Sequence, residues 1–211
     1  MGGRQQLKYI SPFRYPAVAL KRKHGPEGYS NYSHHRPWLR DEFDFRCVYC
    51  LKREQWCFQL NDFELDHQVA QSIDPEPCRD YMNLVYACHN CNHRKGNKRL
   101  PSPDKVAFGA CMEVLTTGMR TGEIVALNDD GVRLIDELGL DQKKITGMRG
   151  QYIISIRSHE KHDWRIFLMW MGFPDDLPDL STVRPQPKHN TRPGGIEQSW
   201  FRRRPLPEYY E

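Results

Sequence analysis

Read for the spacing of its apolar positions, the chain falls into short elements between two irregular ends. Residues 1 to 36 show neither a two-residue nor a 3.6-residue period, which predicts an extended arm. From Pro37, PWLRDEF predicts a short helix with proline in its first turn. In FQLNDFELDH, the apolar residues Phe58, Leu60, Phe63 and Leu65 alternate loosely, and NLVYAC is a short β-prone run. Together they predict a hairpin. CNHRKGNKRL predicts a short basic helix closed by Gly or Asn, and Pro-Ser-Pro at 101 to 103 marks a boundary.

Beyond Ser102, helical spacing of Val106, Ala110, Cys111 and Val114 predicts a core-facing helix. NDDGVRLIDELGL predicts another. DQKKITGMRGQYIISIR predicts a third, capped by Asp141 and burying Ile145, Met148, Tyr152 and Ile156. WRIFLMWMGF is apolar nearly all round and predicts a buried helix, and the proline-rich stretch from Pro174 predicts a tail without regular structure. The fold class that follows is α+β, in four segments: a basic arm (1–36), a core (37–100), a helical accessory lobe (101–173) and a Pro/Arg-rich tail (174–211).

Charge changes this picture mainly through its placement. The net charge is +4, but Arg4, Lys8, Arg14, Lys21, Arg22 and Lys23 gather in the first 26 residues, where there is no acid. Such an arm suits a polyanion partner or is simply solvated. No apolar run approaches the roughly 20 residues of a membrane span. The start, MGGRQQLKY, lacks the apolar stretch of an export signal, so the expected setting is cytoplasmic, with no membrane partner.

Seven cysteines in a chain without an export signal point to metal ligands or buried thiols rather than disulfides. Cys47-x-x-Cys50 and Cys88-x-x-Cys91 each offer two thiolates from one tight turn, and two such pairs complete a tetrahedral Zn²⁺ site. Closed by four sulfurs, that zinc would be structural, clamping the ends of the hairpin between the pairs. Cys57 and Cys78 have no matching partner, and Cys111 reads as core.

Inside the clamp stand Asp66-His67, then Asn83, then Asn92 directly after the last zinc cysteine. In FELDHQVAQS, YMNLVYACHNCN and the trailing HRKGNK, over roughly residues 44–100, the chain resembles the HNH endonucleases, whose core is a ββα-metal unit. In that family an Asp-His pair precedes an Asn, with a His or Asn ligand nine positions further on, where this chain has Asn92. The resemblance implies catalytic roles for His67, Asp66, Asn83 and Asn92. His67 would be general base, Asp66 and Asn92 would hold a catalytic Mg²⁺ or Mn²⁺, and the Asn83 amide would bridge backbone groups to orient His67. The chemistry suits phosphodiester hydrolysis, which needs a base for the attacking water and positive charge at the phosphorane. Two positions depart from the family: Ala70 where a proline is common, and Gly96 where a further histidine ligand often stands. His89 and His93 flank Cys91, but adjacent helical residues do not share a face, so neither is assigned to the catalytic cation.

Arg94, Lys95, Lys98 and Arg99 form a basic run beside this set and read as phosphate contacts. Arg202-Arg203-Arg204 beside Trp200 and Phe201 reads either as a strand clamp or as a docking surface. The expected activity is metal-dependent nicking of DNA, leaving a 5′-phosphate as the family does. Similarity of 123–150 to helical segments that follow some prokaryotic HNH cores implies a defence or mobile-element setting, with a separate ATPase or targeting subunit. Two alternatives stay open: a ribonuclease with the same site, and a zinc-knuckle nucleic-acid-binding subunit without catalysis. Oligomeric state is not legible in one chain.

Overall fold

The computed structural model describes residues 13–57, 62–74, 80–183 and 195–203. Phe58, Leu60, Cys78, Arg204 and the first basic residues of the arm lie outside them. Helix α1 (Arg36–Glu42) starts with proline in its first turn and buries Trp38, Leu39, Asp41 and Glu42. The chain then turns through Asp44 and Phe45, both at positive φ, into the first cysteine pair. There Cys47 N–H donates to Lys52 O at 2.8 Å and Leu51 N–H donates back to Cys47 O at 3.0 Å, a knuckle completed by Leu51 at φ +62°.

Strand β1 (Phe63–His67) pairs antiparallel with β2 (Leu84–Cys88), with Asp66 opposite Val85 and His67 opposite Leu84. Helix α2 (His89–Lys95) leaves the end of β2 without a linker and stops at Gly96, whose φ of +51° few other residues adopt. The ββα order thus spans the two cysteine pairs, in an α+β protein.

Where a helix is predicted over 106–114, only α3 (Phe108–Cys111) is helical. Met112–Val114 is a strand, β3, paired with β4 (Ile124–Ala126), and its buried residues Met112 and Val114 alternate with an exposed glutamate. Helix α4 (Asp129–Leu138) is built as its sequence suggests: Asn128 caps it through Gly131 N–H, two aspartates fill the first turn and Gly139 closes it in the left-handed conformation.

Helix α5 (Lys143–His162) forms, but its buried face is rotated from the predicted one: Arg149, Gly150, Ile153 and Ile156 are inside, whereas Met148 is 49% exposed. Arg149 sets the phase, because its guanidinium donates to the carbonyls of Gly122 and Leu140, and Gly150 lets the helix backbone approach Gly122. The cap differs too. Gln142 precedes the helix without a side-chain capping bond, and Asp141 contributes its carbonyl, to Thr146 Oγ1. Helix α6 (Trp164–Met171) buries Phe167 and Met171 but exposes Trp164 and Met169, so it is not enclosed on all sides.

The described parts of the arm and tail belong to the body. Residues 13–31 form no helix or strand, yet Tyr15, Arg22 and His24 are buried. Arg22 is an internal brace and not a hook for a polyanion: its guanidinium pairs with Asp104 at 2.7 Å and donates to Leu84 O at 2.8 Å. At the other end a short helix, α7 (Trp200–Arg203), brings Trp200 N–H to Asp41 at 2.6 Å and the indole N–H to Asp44 at 2.8 Å. Buried side chains from Phe13 to Ile196 form one cluster, so the four segments share a core. Among the described residues no helix is long and apolar enough to cross a membrane.

Asp41 lies at the centre of this closure, fully buried, accepting from His24 Nε2 at 2.8 Å, Lys23 and the Trp200 amide. Burial works to raise its pKa, but these partners together hold it below the ordinary carboxylate value. A lowered folded value stabilises the protein above the unfolded pKa and loses that contribution as pH falls through the folded one. Asp41→Asn is therefore expected to flatten the pH dependence of the urea midpoint between about pH 5 and pH 3. An unchanged slope would show that the site makes no such contribution.

Candidate active site

The cysteines meet as their spacing predicts. All four sulfurs of Cys47, Cys50, Cys88 and Cys91 lie within 4.8 Å of one another, with Cys50 Sγ and Cys88 Sγ 3.6 Å apart. Four Zn–S bonds of about 2.3 Å imply tetrahedron edges of about 3.8 Å, so the cluster fits a structural metal such as zinc. Burial holds the Cys47 thiol well above its ordinary pKa. A bound dication reverses that, since thiolate is the ligand. The group joins the knuckle after α1 to the junction of β2 and α2, which fixes α2 against the hairpin.

Alternation along β1 turns Glu64 and Asp66 toward α2 and His67 to the other side. Asp66 is 3% exposed and both its oxygens are engaged: Oδ2 accepts from Tyr49 OH at 2.8 Å and Oδ1 from Lys95 Nζ at 2.9 Å. Burial raises the Asp66 pKa above the ordinary carboxylate value, against the lowering pull of Lys95 and Tyr49. Lys95, itself 1% exposed, also donates to His67 O at 2.6 Å. It is therefore a buried counter-ion and not a phosphate contact, a correction to its place in the basic run.

Asn92 turns its amide toward a different carboxylate, donating to Glu64 Oε2. The Asp66 and Asn92 pair consequently does not fit a divalent cation as arranged, because the lysine ammonium already supplies the positive charge at Asp66. Glu64 in turn accepts from His89 Nδ1 at 2.7 Å. Burial would raise the Glu64 pKa, but its bonds to His89 and Asn92 outweigh that and lower it. Glu64 in turn raises the pKa of His89.

Asn83 spans the loop after β1: Val69 N–H donates to its Oδ1 at 2.9 Å and its Nδ2 donates to Val69 O at 3.1 Å. Asn83 O accepts from Gln68 N–H at 2.8 Å, so the backbone on the C-terminal side of His67 is tied to the start of β2. The His67 ring, half-buried, packs edge-on against Tyr32 with centroids 4.8 Å apart, and Gln71 Nε2 lies 3.0 Å from its Nε2. An amide nitrogen only donates, so that pairing gives His67 Nε2 the lone pair.

No family model, curated protein or solved structure matches the chain.

Of the remaining basic run, Lys98 and Arg99 are exposed, although Lys98 is paired with Glu137 at 2.8 Å, and Arg94 donates to Gln142 at 2.7 Å. Sequence reasoning missed Tyr49, Tyr32 and Gln71, and it placed Lys95 on the surface. Glu64 carried a usable signal, since a residue two before Asp66 in a strand shares its face.

Proposed function

We propose that this chain is a phosphodiester hydrolase of the HNH type acting on nucleic acid, with DNA as the substrate and His67 as the general base. One observation carries the reading: the Asn83 bridge ties the loop that presents His67 at the end of β1, on a ββα unit whose ends meet at a four-cysteine cluster. An imidazole presented in this way takes the proton of an attacking water, and exposed Lys98 and Arg99 at the exit of α2 hold neighbouring phosphates. The buried pair of Asp66 on β1 and Lys95 on α2 ties the strand to the helix. The setting proposed from the resemblance is prokaryotic defence or a mobile element, with targeting by a separate subunit.

In a plasmid-nicking assay with Mg²⁺ or Mn²⁺ present, His67→Ala is expected to lower the rate by about 10²-fold or more. Equal rates for wild type and variant sink the catalytic assignment. The buried Asp66–Lys95 pair favours a second reading, a nucleic-acid-binding module without chemistry. Binding of duplex without His67-dependent cleavage would select it, and digestion of RNA beside duplex and single-stranded DNA would assign the substrate.

A further inference from the structure

The exposed side of α2 carries a constellation that the phosphodiester reading leaves unused. His89 and His93 stand four positions apart, so they share a helix face. Their rings are nearly parallel, at 18°, with centroids 6.0 Å apart. Both are solvent-exposed, His89 to 64%. Nδ1 of His89 donates to Glu64 Oε1 at 2.7 Å, and Glu64 is held from its other oxygen by the Asn92 amide. A carboxylate bound to one imidazole nitrogen fixes the tautomer and leaves the second nitrogen as a lone-pair donor, the arrangement found behind metal-ligating histidines.

We infer that His89 and His93 form a site for one divalent transition-metal ion, with Glu64 as the positioning residue of His89. Metal–nitrogen bonds of about 2.0–2.1 Å place the centroids of such a pair at about 5 Å, so the two exposed rings share an ion once they approach by about 1 Å and turn their planes toward a common point. Two imidazoles select a borderline ion of the Zn²⁺, Ni²⁺ or Cu²⁺ class over Mg²⁺ or Ca²⁺. Unlike the closed, buried sulfur cluster, this site has only two protein ligands. Water fills the remaining positions, and a phosphate oxygen can replace it. The i, i+4 spacing is the one by which two histidines on a helix share a zinc ion. Its anchorage is rigid, because Cys88 and Cys91 hold the same turn of α2 in the sulfur cluster.

The test titrates untagged, zinc-loaded protein with Ni²⁺ by calorimetry, with cysteine-bound zinc quantified in every variant. One Ni²⁺ per chain is expected. His93→Gln should weaken it by at least about tenfold, and Glu64→Gln by about tenfold through loss of the orienting carboxylate. With Cu²⁺ as probe, the electron paramagnetic resonance spectrum should show coupling to two nitrogens in wild type and to one in His93→Gln. No uptake at millimolar Ni²⁺, or uptake unchanged in His93→Gln, overturns the site. Both readouts measure occupancy, so they stand whether or not the nicking assay succeeds.

Discussion

Removing the metal from the four-cysteine cluster is expected to unfold the ββα unit. A structural Zn²⁺ contributes roughly 10–16 kcal/mol of apparent binding free energy at neutral pH, as much as the whole stability of a typical domain, about 5–15 kcal/mol. The cluster joins the knuckle at Cys47 and Cys50 to the strand end at Cys88 and the helix at Cys91, with no other covalent or metal link between these elements among the described residues. Cys50→Ser, or a strong chelator acting on wild type, should therefore abolish the near-ultraviolet circular dichroism of the packed aromatics, and nicking with it. Metal analysis should give one zinc per chain in wild type. A Cys50→Ser protein with native dichroism and no zinc would end the structural-metal assignment.

The second large effect belongs to Lys95. Lys95→Met keeps the stem's volume but leaves Asp66 buried without its ammonium partner, and such a deletion costs about 3–5 kcal/mol. The sign of its pH dependence follows from Asp66, whose folded pKa is already raised. A raised folded value means that stability is fully present below the unfolded pKa and is lost as pH rises through the folded one. Loss of Lys95 raises that value further, so the deficit of Lys95→Met should be largest at neutral pH and shrink toward acid. The double variant Asp66→Leu/Lys95→Met should recover most of the loss, because an apolar pair needs no compensation. Urea unfolding of wild type and the two variants measures this. A stable Lys95→Met at pH 7 would mean that the ammonium is not the partner on which Asp66 depends.

Local order was legible wherever the chain signals its own geometry. The hairpin strands, the Gly96 stop of α2, the helix α4 and the paired cysteines all declare themselves within a few residues. What stayed hidden depends on partners far along the chain. Lys95 sits in a run that looks like a solvated basic face, and only its packing under β1, 29 positions back, makes it a buried ion. Arg149 looks like a surface residue of α5 until the carbonyls of Gly122 and Leu140 claim it and rotate the helix by one position. In the described part of the arm the buried residues include Arg22 and His24 while Val18 is exposed, so burial there does not follow hydrophobicity and leaves no apolar period.

The closure of the arm and tail over α1 bears on how the protein emerges from the ribosome. Arg22 waits for Asp104, and Asp41, which meets Lys23 and His24 early, waits with Asp44 for Trp200, so neither segment has its full set of native partners while it is being translated. The cysteine cluster needs nothing beyond Cys91 and can assemble during synthesis, whereas sealing of the helix above it is postponed until Trp200 has been released.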